Sequence, residues 1–106
     1  MDEMTPTTRI NLDDERYFHD ATVTDTTSSP LRIPAVGRDA AVSVTPGTDA
    51  KIQFTLSSYD EIETDNAVWE DWPSGVVTSA TYDVITGAAA ALRIVSTGAS
   101  TWRVSL

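Results

Sequence analysis

A chain of 106 residues, 41% of them hydrophobic, makes one domain, large enough to bury about two-thirds of the surface its unfolded form exposes. It contains no cysteine, which excludes disulfide frameworks, thiolate zinc sites and cysteine nucleophiles together. Sixteen acidic against seven basic residues give a net charge of −9. Phosphate binding needs clustered Lys and Arg, whereas Arg9, Arg16, Arg32, Arg38, Lys51, Arg93 and Arg103 are scattered, so neither nucleic acid nor an anionic membrane is an expected partner.

The N-terminus, Met1-Asp2-Glu3-Met4-Thr5-Pro6, is acidic and polar where a signal peptide is basic and then apolar. No apolar run approaches bilayer-spanning length. The sequence therefore reads as a chain made in the cytoplasm that stays soluble. Residues 1–20 hold few large apolar groups: Ile10, Leu12, Tyr17 and Phe18. The stretch 11–18 suits either a short helix, with Asp13 as N-cap, or an extended arm. So sparse a segment does not repay its ordering entropy alone. It is read as an N-terminal arm, with Arg9, Ile10, Leu12, Tyr17 and Phe18 as candidate partner contacts.

Strand signals begin at Ala21. Val23 points inward in the first run, and Thr26-Thr27-Ser28-Ser29-Pro30 is a loop. Leu31 and Ile33 make a short strand that Pro34 demotes to a sheet edge. From Ala41 apolar and polar residues alternate through Val42 and Val44, then Ile52, Phe54 and Leu56, around Pro46-Gly47-Thr48-Asp49. The reading is a hairpin over about 40–57. Residues 58–75 break the rhythm, with an acidic loop or single helical turn over 58–65 and a turn at Pro73 and Gly75. Strands follow over 76–85, 88–95 and 101–106, the last two joined by a turn at Gly98. The predicted core is Phe54, Leu56, Leu92, Ile94, Trp102 and Val104, with Lys51, Gln53 and Arg103 outward. Short strands at this spacing predict an all-β fold, an antiparallel β-sandwich or jelly roll over 21–106 with an irregular arm over 1–20.

Candidate chemistry is thin. His19 is the one histidine, with only its sequence neighbour Asp20 to orient it and no Gly-x-Ser-x-Gly elbow in the chain; it reads as a surface or arm residue. Asp60, Glu61, Glu63 and Asp65 supply hard oxygen ligands, yet the Asp-x-Asp-x-Asp-Gly spacing of a calcium loop is missing, so a solvated acidic loop is favoured. Trp69, Glu70, Asp71 and Trp72 admit two readings. Two indoles flanking two carboxylates make a sugar platform or rim; alternatively, one tryptophan plugs the sandwich and the other covers its edge. As strand neighbours, Glu70 and Asp71 point to opposite faces and do not make a glycosidase pair. No catalytic residue, cofactor or metal site is assigned.

The order AVSVTPGTDAKIQFTLS, AVWEDWPSGVVT, AALRIVSTGASTWRVSL resembles small all-β virion proteins of tailed bacteriophages. These occur as decoration or cement proteins on heads and as accessory pieces of tails and fibres. The resemblance covers roughly residues 40–106 and carries no active-site residues. It implies a non-enzymatic structural protein of the particle, foremost a capsid decoration protein on the major capsid protein. Its implied partners are capsid or tail subunits and further copies of itself, a trimer among the options. The alternative class is a tail or fibre accessory, or a carbohydrate- or receptor-binding module using Trp69 and Trp72.

Overall fold

The computed structural model describes residues 7–11, 16–33 and 39–106, with side chains from Phe18 onward within those ranges. Strands β1 (Thr7–Asn11), β2 (Arg16–Thr24), β4 (Ala40–Thr45), β7 (Thr81–Ile85) and β9 (Ala99–Ser105) form one antiparallel sheet. Strands β3 (Leu31–Arg32), β5 (Asp49–Thr55), β6 (Trp69–Asp71) and β8 (Ala91–Thr97) form the other, with the short helix α1 (Tyr59–Glu63) between β5 and β6. The first sheet runs β1-β2-β9-β4-β7 and the second β3-β8-β5-β6. The all-β, two-sheet architecture is the one the alternation predicts.

Cross-strand register fixes the faces, because paired residues share one side of a sheet. In the larger sheet Ala21↔Trp102↔Val44 and Val104↔Val42 line up, and all five are buried. In the smaller sheet Ile52↔Ile94 and Phe54↔Leu92 do the same. These two inner faces, with Val23, Ile85 and Trp72, form one continuous core.

The connections differ from those expected. Residues 40–57 are not a hairpin. Strand β4 pairs with β7 and β9, while β5 pairs with β6 and β8, so Pro46-Gly47-Thr48 carries the chain from one sheet to the other. The Gly98 turn does the same between β8 and β9. Alternation cannot separate the two cases, since both strands of an inter-sheet arch present apolar residues to the same interior, as hairpin strands do. The segment read as one strand over 76–85 is also split. Val77 makes a lone bridge to Ala50 of the smaller sheet, and the chain then crosses to start β7 at Thr81. The strand expected from 88 begins at Ala91, after a turn at Gly87 and Ala88.

Leu56 is not core: it is 56% exposed, and Phe54 is only half-buried. The pattern slips at Thr55, whose hydroxyl donates to Val68 O (2.8 Å) and accepts from Ser57 N (3.1 Å), ending the strand. Thr55 and Ala91 face outward by register yet are fully buried. Helix α1 is fixed over this side of the smaller sheet by Tyr59 Oη donating to Ile33 O (2.6 Å) and by an Arg32–Glu63 ion pair. Ser58 caps it in a reciprocal box with Glu61.

The segment read as an arm supplies two strands. Arg9 and Ile10 pair with Phe18 and Tyr17, and Phe18 to Thr24 pair with Ser105 to Ala99. A boundary at residue 20 therefore falls inside β2. The helix option for 11–18 gives way to strand at Asn11 and at 16–18. Leu12 lies outside the described residues.

Candidate functional site

The sandwich has a tied end and an open end. At the tied end the inter-sheet arches are laced together. Ser96 Oγ reaches Val23 O, Gly98 O (both 2.8 Å) and Ser100 Oγ (2.7 Å), and Gly47 N donates to Ser100 Oγ (3.0 Å). Asp25 closes the set, accepting from Gly98 N (2.7 Å) and donating its own N–H to Gly98 O (3.2 Å). At the open end, Ile33, Ser57, Ser58, Tyr59 and the Gly87–Ala90 turn line a cleft of about 430 Å³. Leu56 and Val68, 56% and 69% exposed, adjoin the cleft residue Ser57, the one as its chain neighbour and the other by donating Val68 N to Ser57 Oγ (3.0 Å).

The tryptophan cluster is dispersed. Trp72 is 2% exposed, part of the core, and its Nε1 donates to Gly75 O (2.6 Å). A platform of two coplanar exposed indoles is therefore absent. Trp69 lies half-buried on the outer face of the smaller sheet, with the Arg93 guanidinium 4.3 Å above its ring centre. A polar row crosses the strands beside it. Arg93 Nε donates to Gln53 Oε1 (2.8 Å), Gln53 Nε2 donates to Asp71 Oδ1 (2.9 Å), and Lys51 pairs with Asp71 at 3.2 Å. The Gln53 bond first, and then Lys51, hold the Asp71 carboxyl below its ordinary value. Burial draws the Arg93 guanidinium down, with Asp65 opposing. Glu70 pairs with Phe54 and so takes the opposite face from Asp71, which matches the strand geometry that separates the two carboxylates.

His19 is not a surface residue. It is 6% exposed, on the inner face opposite Val104, with its ring edge-on to Trp102 (centroids 5.5 Å apart, planes at 72°). Nothing in the sequence distinguishes an inward histidine on β2 from one on a loose arm once the arm is assumed. Asp60, Glu61 and Glu63 belong to α1 or its first turn and Asp65 follows it, all exposed. Metal centres take three or four converging donors. No group of three or more His, Cys, Asp or Glu stands together among the described residues, and the chain has one histidine; the described residues do not fit such a centre.

The sequence missed the outer face of the larger sheet. Tyr82, Ser43, Arg103 and Asp20 form one row across β7, β4, β9 and β2. Arg103 Nε donates to Asp20 Oδ1 (2.6 Å), and Tyr82 is 77% exposed. The row unites residues up to 83 positions apart, so only strand order reveals it.

No family model matches this sequence and no curated protein does. Solved structures do match in fold. A cupin-2 domain containing protein from Shewanella frigidimarina NCIMB 400 aligns over 96% of this chain and 78% of its own, with TM-score 0.54 and 12% identity. A recombinant oxalate oxidase in complex with glycolate aligns over 95% of this chain and 49% of its own (TM-score 0.52, 15% identity). Peruvianin-I, a cysteine peptidase from Thevetia peruviana latex, aligns over 98% and 60% (TM-score 0.53, 13% identity). The chain thus spans about half to three-quarters of the length of these neighbours. At such identities the likeness is one of fold: an antiparallel sandwich of the cupin, jelly-roll type.

Proposed function

We propose that this chain is a non-enzymatic assembly module of a tailed-phage particle, docking to a shell or tail subunit through the open end of its sandwich. The observation that carries this is the pair Leu56 and Val68. Both are large, aliphatic and exposed, and both adjoin Ser57, which lines the cleft walled by Ile33 and the alanines of the 87–90 turn, at the end opposite the laced arches. Exposed apolar side chains next to a cleft supply the surface that docking buries, and docking by one end leaves both outer sheet faces free for other contacts. The virion assignment rests on the sequence pattern of residues 40–106, and a capsid decoration role is preferred within it. The net charge of −9 keeps the free subunit soluble and steers it toward basic partner surfaces.

The second reading, a receptor- or sugar-binding accessory built on Trp69 and Trp72, is weakened by the burial of Trp72. Sedimentation of the purified chain with tailed-phage particles tests the proposal. The expected result is a saturable, stoichiometric fraction travelling with the particle. A chain that remains at the top of the gradient, with no trace of it in purified particles of the encoding phage, overturns it.

A further inference from the structure

We propose that the outer face of the larger sheet binds a neutral saccharide in a trough between Tyr82 and Arg103, a site separate from the open-end patch. The small residues Ala41, Ser43 and Thr45 of β4 form the floor. On either side stand the Tyr82 ring on β7 and the Arg103 guanidinium on β9. Adjacent strands are about 4.8 Å apart, so the backbones that carry the two walls lie about 10 Å apart with β4 between them, and Asp20 on β2 holds the Arg103 side chain on its side of the trough. Two shallow grooves of about 220 and 360 Å³ meet here, sharing Ser43 and Arg103.

The chemistry of the walls selects the ligand. The solvated face of an antiparallel sheet is ordinarily polar, yet Tyr82 is 77% and its face neighbour Val84 48% exposed. An exposed phenol ring on an otherwise level floor offers a flat apolar surface for the C–H face of a pyranose. Opposite it, the Arg103–Asp20 pair presents donors and acceptors together, as sugar hydroxyls require: the bond between them engages one of five guanidinium N–H groups. Thr22 and Thr101, hydroxyls 3.1 Å apart, extend the polar wall. The ion pair sums to zero within a molecule of net charge −9, so charge complementarity favours a neutral glycan and disfavours uronate or sulfate sugars. Asp83 does not join the site. It points to the other face, opposite Val42, where it accepts from Ser74 Oγ (2.7 Å).

The test is an amide chemical-shift titration of the full chain with maltohexaose, mannohexaose and galactohexaose, and with a hexagalacturonate as the acidic probe. The expected result is saturable shifts with at least one neutral probe, centred on Ser43, Tyr82, Thr101 and Arg103. Tyr82→Ala should weaken binding about 3- to 10-fold, the size of one lost aromatic contact, with an unchanged melting transition. Tyr82→Phe should retain most of the affinity, and Trp69→Ala, on the opposite sheet, should bind as the parent does. Silence with every neutral probe, shifts centred on Trp69 and Arg93, preference for the acidic probe, or undiminished binding by Tyr82→Ala would each overturn the site. None of these outcomes bears on the open-end patch, which lies elsewhere on the molecule.

Discussion

Trp102 and Trp72 are both buried, but their polar atoms fare differently. The Trp102 N–H has no hydrogen-bond partner among the described residues, whereas the Trp72 N–H is bonded to Gly75 O. Replacement by phenylalanine therefore separates the two. Trp102→Phe gives up volume but no bond among the described residues, and should cost about 1–3 kcal/mol through the cavity left behind. Trp72→Phe breaks a satisfied bond as well, and should cost about 1 kcal/mol more. Urea denaturation of the two variants measures the difference, and equal losses would refute the assignment of polar roles. Glycine substitutions provide a similar contrast. A Cβ on Gly98, at φ +76°, would meet Thr48 N at 2.7 Å inside the laced arches; Gly75, at φ +62°, has open space around it. Gly75→Ala should cost about 1–2 kcal/mol, the left-handed penalty alone, and Gly98→Ala distinctly more.

Among the elements, the arches matter most for how the chain folds. From β2 onward nearly every connection changes sheet, so pairing joins residues as distant as Phe18 and Ser105. Loop-closure entropy must be overcome before such contacts form, and folding in the range of milliseconds to seconds is expected, measurable by stopped-flow tryptophan fluorescence. Strand β2 is the element that the sequence concealed. Its outer half, Arg16 to Asp20, mixes charged and aromatic residues with no clean alternation, yet Phe18, His19 and Asp20 pair with Ser105, Val104 and Arg103 of β9. Removing residues 1–20 should therefore expose the β9 edge and lower the melting temperature or cause aggregation; a truncated chain with unchanged circular dichroism and melting would show that residues 1–20 are dispensable. Strand existence was legible because Val42, Val44, Ile52, Ile94, Trp102 and Val104 alternate cleanly with polar neighbours. Strand partnership was not, because Gly47 and Gly98 serve an arch as readily as a hairpin. The burial of Trp72 was readable as one of two options. The trough at Tyr82 was not readable at all, since its four residues meet only through the strand order.

For the whole molecule, acid is the informative perturbation. Asp83, which accepts from Ser74 Oγ and Val84 N, and Asp71, which accepts from Gln53 and pairs with Lys51, both have carboxyls held below the ordinary aspartate value. A folded-state pKa below the unfolded one contributes stability above the unfolded value of about 3.9, and that stability is lost as pH falls through the folded value. Stability should therefore hold from neutral pH down to about 5 and decline below about 4. Asp83→Asn should melt lower than the parent at neutral pH, with the gap narrowing in acid, as calorimetry across pH would show. A constant gap would place the Asp83 contribution outside its ionisation.

The open end and the sheet faces can be altered separately, so docking through the open end can be tested directly. The measurement is occupancy on tailed-phage particles by gradient sedimentation, comparing the parent, the double variant Leu56→Asp/Val68→Asp, and Tyr82→Ala. Both altered sites are exposed, so all three chains should melt within about 0.5 kcal/mol of one another in stability. End-on docking predicts particle occupancy for the parent and Tyr82→Ala and its loss for the double variant. Equal occupancy for all three, or loss with Tyr82→Ala alone, would contradict docking through the open end.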